Sequence, residues 1–186
     1  APDKTPDRIA RMFDAIAPRY DLLNHLLSAG IDKRWRTKMI ASLKLTGRET
    51  LVDVCTGTAD VALEARRGAN GSSHDSAARV LGLDFAGAML TLGLRKVRDA
   101  GEEQRIALVR GDAMRIPVPD GVADAATVAF GVRNVQKTDV AVQELARVLR
   151  PGGRLAILEF SIPRMPGLAA LYRWYFTRVL PLVGRA

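Results

Sequence analysis

The residues that could do chemistry in this sequence are three aspartates and a glycine turn. Asp53, Asp84 and Asp112 each stand at the end of a short apolar run, and "LVDVCTGTAD" (51–60) bends at Gly57. A carboxylate accepts hydrogen bonds from hydroxyl and amino groups and balances positive charge. It also repels phosphate. A dinucleotide site needs the opposite: three glycines in G-x-G-x-x-G, so that bare backbone and a helix N-terminus approach a pyrophosphate. Thr56-Gly57-Thr58-Ala59-Asp60 offers one glycine and an added acid.

The pattern therefore suits a cationic, phosphate-free nucleoside, and S-adenosylmethionine is such a molecule. On this reading Asp84 accepts from both ribose hydroxyls. Asp112 accepts from the adenine amino group, and the backbone N–H of Ala113 donates to a ring nitrogen. Asp53 balances the positive methionine moiety, against which the Gly57 turn lies where a side chain would clash. For any one aspartate alone, capping of the following turn is an equal alternative.

Such residues need a frame that brings strand ends together. Apolar, β-rich runs at 50–55, 78–84, 105–112, 124–131 and 154–160 alternate with helical patterns at 60–69, 86–101 and 138–153. The last helix is expected to start at a Thr138 cap and stop at Pro-Gly-Gly. This rhythm predicts βαβ units and an α/β fold: a doubly wound, mostly parallel Rossmann-like sheet with helices on both faces. The ligand then sits at the carboxyl ends of the strands. Ile9, Met12, Phe13 and Ile16 predict a helix before Pro18, and a second helical region over 21–44 breaks near Gly30. Residues 1–45 read as a helical lid or substrate region, and 46–186 as the cofactor-binding core; together they make one structural domain.

With 186 residues and 48% hydrophobic content, the chain can bury a core. One cysteine, Cys55, excludes an internal disulfide and suits a reducing cytosol. No signal peptide or membrane span is legible. The net charge of +8 admits an anionic partner, either nucleic acid or a membrane surface. Scattered basic residues and only 5% aromatics argue against a base-stacking module. His25 and His74 are not grouped with acids, so no metal is expected.

At "MFDAIAPRYDLLNHLLSAGIDKRWR" (12–36), "DVCTGTAD" (53–60), "GLDFAGAML" (82–90), "GDAMRIPVPD" (111–120), "FGVRNV" (130–135), "LRPGGRLAILEFS" (149–161) and "VLPLVG" (179–184), the sequence resembles the class I S-adenosylmethionine-dependent methyltransferases. Within them it resembles the quinone C-methyltransferases of the UbiE/MenG, or demethylmenaquinone methyltransferase, type. The resemblance implies methyl transfer from S-adenosylmethionine to the ring carbon of a polyprenyl quinol, most simply demethylmenaquinol in menaquinone biosynthesis. The alternatives are a polyprenyl methoxy-benzoquinol in ubiquinone biosynthesis, another small-molecule substrate, or a non-catalytic nucleoside-binding scaffold. A nucleic-acid methyltransferase is disfavoured, because Phe-Gly-Val-Arg-Asn stands where Asn-Pro-Pro-Tyr is expected.

The family's cofactor contacts fall on Thr58, Asp84, Asp112, Ala113 and Ala129. Ala129 replaces a serine of several members, and Ala59 replaces a common glycine. Arg133 and Asn134 match the catalytic signature. Arg133 is expected to stabilise a developing phenolate and Asn134 to orient the same oxygen or a water; pairing of Arg133 with Asp124 or Glu159 is the structural alternative. Tyr20, Asp21 and Asn24 are candidates for a substrate lid. Residues 164–185 read as an amphipathic helix that touches an anionic bilayer or covers the cleft. Family members continue past "VLPLVG" with an antiparallel pair, so C-terminal strands are expected to be missing. A polyprenyl quinol and an anionic membrane are the expected partners, with no nucleic acid; a homodimer is left open. The expected location is cytoplasmic, peripheral at the inner membrane face.

Overall fold

The computed structural model describes residues 5, 8–15, 17, 30–68 and 77–159. Tyr20, Asp21, Asn24, His25, His74 and the 164–185 segment lie outside the described residues.

Among the described residues five parallel strands form the sheet: β1 (Thr50–Val54), β2 (Arg79–Asp84), β3 (Ile106–Arg110), β4 (Ala123–Ala129) and β5 (Leu149–Leu158), in the order β3-β2-β1-β4-β5. The chain winds outward from β1 to β3, then returns to β4 on the other side of β1. The reversal places a switch point between the carboxyl ends of β1 and β4, where a crevice opens in folds of this kind. The predicted doubly wound α/β architecture is the one observed.

The helices are α1 (residues 8–15), α2 (Ile31–Ser42), α3 (Asp60–Arg67), α4 (Gly87–Asp99) and α5 (Thr138–Val148). Strand alternation sorts the side chains into two layers. Leu51 of β1 joins Ile40, Leu43, Ala62, Val80 and Val97 on the α2–α3–α4 face. Val52 and Val54 join Val128, Leu145 and Val148 on the α5 face. With both faces covered, the inner strands read as continuous apolar runs. A smaller cluster of Ala17, Ala86 and Met89, with Phe13 packed against it, seats the N-terminal helical residues on the start of α4.

Most element ends shift from the sequence reading by one to five residues, and both ends of α5 differ in kind. Helix α5 ends at Val148, and Pro-Gly-Gly belongs to β5 rather than stopping the helix. Pro151 disfavours helical backbone at the residue before it, and Leu149 already pairs with Ala123. Thr138 is the first residue of α5; Lys137 holds the cap position, with no side-chain cap bond. The predicted break near Gly30 is real: Gly30 has a left-handed φ of 75° and α2 starts at the next residue.

Candidate active site at the strand switch point

The β1–α3 loop bends back through a run of left-handed residues: Cys55 (φ 56°), Gly57 (φ 56°) and Ala59 (φ 66°). Only glycine adopts that conformation without a steric penalty. The strain is held by the burial of Ala59, by its N–H donating to Thr56 O at 2.9 Å and, beside Cys55, by the Thr56 N–H donating to Leu83 O at 3.0 Å. The Gly57 N–H is thereby aimed at Asp84, whose Oδ2 accepts it at 2.9 Å. Asp84 Oδ1 accepts the Ala86 N–H at 2.9 Å. The carboxylate at the tip of β2 thus ties two strand-end loops together. It is buried, and that burial raises its pKa above the ordinary carboxylate range against the pull of its backbone donors.

Two small cavities flank Cys55 and Asn134, of about 30 and 20 Å³. Gly57, Asp84, Phe85, Met89, Ala129 and Gly131 line the first, with Phe13 reaching in from α1. Asp112, Ala113, Met114 and Gln136 line the second, with Ile9 from α1. Asp112 Oδ1 accepts the Met114 N–H at 2.8 Å. The structure therefore brings together Gly57, Asp84, Asp112, Ala113, Ala129 and Asn134 of the residues predicted from sequence. Asp84 and Asp112 cap local turns and line the crevice at once, so the two readings of these aspartates are not exclusive. A side chain on Gly131 would put a Cβ 2.3 Å from Cys55 Cβ. That close approach fixes the β4 loop on the β1 loop. Burial pushes the Cys55 thiol far above its ordinary pKa, so it is a neutral wall.

The remaining predicted residues stand elsewhere. Asp53 sits inside β1, beside Thr127 of β4, and lines neither cavity. Its Oδ2 accepts the Thr56 hydroxyl and its Oδ1 the Thr127 hydroxyl, each at 2.6 Å. Burial raises its pKa to about 6 despite those donors. Alternation along β1 turns Asp53 to the side of Leu51, beneath the loop, so any effect on a ligand is through charge. The Thr58 side chain is buried, and its hydroxyl accepts a hydrogen bond from Lys96 Nζ at 2.9 Å. Its hydroxyl is thus engaged by α4. Arg133 follows β4 in a short 3-10 turn, Val132–Asn134, and is half exposed. Its guanidinium pairs with Glu159, whose Oε2 also accepts the Arg133 N–H at 3.4 Å. Asp124, the other suggested partner, pairs with Arg150 at 2.6 Å.

Sequence reasoning missed Ile9, Phe13, Phe85, Met89 and Phe130 as crevice walls. The helical spacing of Ile9 and Phe13 was legible, but not that they would cover the strand ends. Trp35 of α2 packs on Phe130 with ring centroids 6.3 Å apart, a contact no local pattern announces. A separate groove of about 420 Å³ lies between α2, α3 and α4, lined by Lys33, Arg36, Asp60, Glu64, Arg67 and Lys96 among others. It mixes both signs of charge and lies away from the strand ends.

The model of the ubiE/COQ5 methyltransferase family matches residues 3–186. The chain belongs to the ubiE/COQ5 methyltransferase family. It is 46% identical over 180 residues to a ubiquinone/menaquinone biosynthesis C-methyltransferase UbiE of Geobacter sp. (strain M21), covering 97% of this chain and 74% of that one. It is also 46% identical over 173 residues to the demethylmenaquinone methyltransferase of Thermus thermophilus, covering 93% of this chain and 75% of that one. Among solved structures, the [4+2]-cyclase SpnF superposes with a TM-score of 0.69 at 26% identity, over 83% of this chain and 60% of SpnF. A cyclase on this fold shows that the architecture by itself does not fix the reaction. The family uses S-adenosylmethionine as methyl donor. The donor set of the crevice fits that molecule: carboxylates at two successive strand tips suit a sugar diol and an amino group, and no phosphate cradle is present among the described residues.

Proposed function

We propose that this chain is a demethylmenaquinol C-methyltransferase of the ubiE/COQ5 family, working with S-adenosylmethionine in the crevice between the β1 and β4 ends. One observation carries the reading. In a chain of this family, a buried carboxylate, Asp84, is held at the crevice wall by two backbone N–H groups and keeps lone pairs for a ligand. S-adenosylmethionine supplies an electrophilic methyl group on a sulfonium. Asp84 would hold its ribose, Asp112 and the Ala113 N–H its adenine, and the Gly57 turn its methionine part. Asp53 adds negative charge from beneath, and Thr58 contributes backbone. Ala129 packs as an apolar wall.

The cavities of about 30 and 20 Å³ have room for no more than a water molecule each. The wall that must give way is α1, which contributes Phe13 and Ile9. A polar anchor of α1 is Asp14, whose carboxylate accepts the Ala88 N–H at the start of α4 at 2.9 Å. Apolar walls then exclude water from the reacting centre.

Arg133 faces the substrate side. Its guanidinium pairs with Glu159, which fixes it beside the β4 end, and a positive charge there suits a developing phenolate oxygen. Stabilising the phenolate makes the ring carbon nucleophilic. Asn134, in the wall of both cavities, orients that oxygen or a water. Tyr20, Asp21 and Asn24 would complete the lid. The net charge of +8 and the exposed Ile31, Leu155 and Ile157 support contact with an anionic membrane at its cytoplasmic face. No described helix is long and apolar enough to cross a membrane.

The test is incubation of the purified chain with labelled methyl donor and either demethylmenaquinol or a demethylated polyprenyl benzoquinol. Label in a naphthoquinol product one methyl heavier is the expected outcome. Label only in the benzoquinol moves the function to ubiquinone biosynthesis, and label in neither contradicts the proposal.

A further inference from the structure

The geometry points to Arg147, together with Glu144, as a positioning residue that sets the loop reading the adenine ring; this rests on the nucleoside reading of the site proposed above. The loop between β3 and β4 carries Asp112 and Ala113 and has no regular structure beyond an isolated bridge between Asp112 and Arg115. Something outside it must hold its backbone in place.

That support comes from one face of α5. Arg147 Nη2 donates to Ile116 O at 2.9 Å, and Nη1 donates to Val118 O at 2.9 Å and to Asp120 Oδ1 at 2.7 Å. Its Nε and Nη2 grip Glu144 at 2.7 and 2.8 Å. Glu144 Oε2 in turn accepts the Ile116 N–H at 2.8 Å. Ile116 is therefore clamped through both its donor and its acceptor. The Gly121 N–H donates to Arg147 O at 2.9 Å and closes the far end of the loop. Ala113 and Ile116 bury their side chains in the α5 core cluster, so the clamp and the packing pull the same way. The hydrogen bonds from Arg147 hold the Glu144 carboxyl below the ordinary range, which keeps it an acceptor.

An exposed ion pair would matter little. Here the planar fork of arginine spans two carbonyls and two carboxylates at once, which a lysine ammonium cannot reproduce. Asp112 stands only four residues before Ile116, so loosening the clamp shifts the groups that face the adenine edge. Displacements near 1 Å are enough to spoil directional recognition.

The experiment compares calorimetric binding of S-adenosylhomocysteine with that of S-inosylhomocysteine, which carries an oxygen in place of the adenine amino group. Wild type should prefer the adenine ligand. Arg147→Lys should bind it about tenfold more weakly and lose most of that preference. Glu144→Gln keeps an acceptor for the Ile116 N–H and should show a smaller loss; it carries the test if Arg147→Lys fails to fold. A variant that binds weakly but keeps the full preference, or one that binds as wild type does, overturns the clamp while leaving the nucleoside site standing. A wild type that binds neither ligand overturns both.

Discussion

The two walls of the crevice are built differently. On the β1–β2 side, Asp84 is buried and held by the backbone N–H groups of Gly57 and Ala86, and the loop beside it stores left-handed strain at Cys55 and Ala59. On the β4–β5 side, Arg133 is half exposed and ion-paired with Glu159. Backbone donors cannot rotate away, whereas an exposed ion pair exchanges partners at small cost. On the proposed function this difference is a division of labour: the rigid wall would bind a ligand present in every turnover, and the adjustable wall would meet the substrate whose charge changes during reaction.

Removing the rigid anchor should have the largest effect. Asp84→Ala should weaken S-adenosylmethionine binding about 1000-fold, or about 4 kcal/mol, because charge-assisted hydrogen bonds are lost and two loops are untied. Calorimetry reads this, and a loss under tenfold would remove Asp84 from the site.

The buried carboxylate beneath that wall makes a prediction in pH. The folded-state pKa of Asp53 is raised to about 6 from 3.8, so the folded protein holds this proton more tightly than the unfolded chain. Between pH 4 and 6 the unfolded state therefore binds fewer protons, and stability falls as pH rises. Against Asp53→Asn, which does not ionise, wild type should lose about 3 kcal/mol between about pH 3 and 7, with about 2 kcal/mol of it between pH 4 and 6. Denaturant titrations of both proteins at several pH values check the sign. A wild type that gains stability relative to the variant as pH rises would contradict the burial argument.

On the adjustable wall, Arg133→Ala should lower turnover by at least about tenfold while cofactor affinity stays within about twofold. Steady-state kinetics with binding measured in parallel separates the two. An equal loss in both would abolish the contrast between the walls. The smallest effect is expected at Ala59: Ala59→Gly relieves a left-handed alanine and should stabilise the fold by up to about 1 kcal/mol. Thermal unfolding measures it.

The fold was legible because alternating apolar strands and amphipathic helices leave few topologies, and because aspartates at strand tips mark the carboxyl edge. Asp84 and Asp112 were readable on that ground. Asp53 was not: β1 continues one residue further, and alternation turns its side chain under the loop toward Thr127, 74 positions away in sequence. Thr58 is likewise decided by a distant partner, Lys96 of α4. The Arg147 clamp depends on a helix meeting an irregular loop about thirty residues earlier, and no periodicity encodes that meeting. For Arg133 the sequence left Asp124 and Glu159 as possible partners. Arg150 takes Asp124, and Glu159 at the end of β5 is left for Arg133.

The most direct measurement is a crystal structure of the chain grown with S-adenosylhomocysteine. The ribose hydroxyls should lie on Asp84, the adenine edge at Asp112 and Ala113, and Phe13 should be displaced from the crevice. A ligand lying in the charged groove between α2, α3 and α4, or one at the strand ends without contact to Asp84, would contradict it.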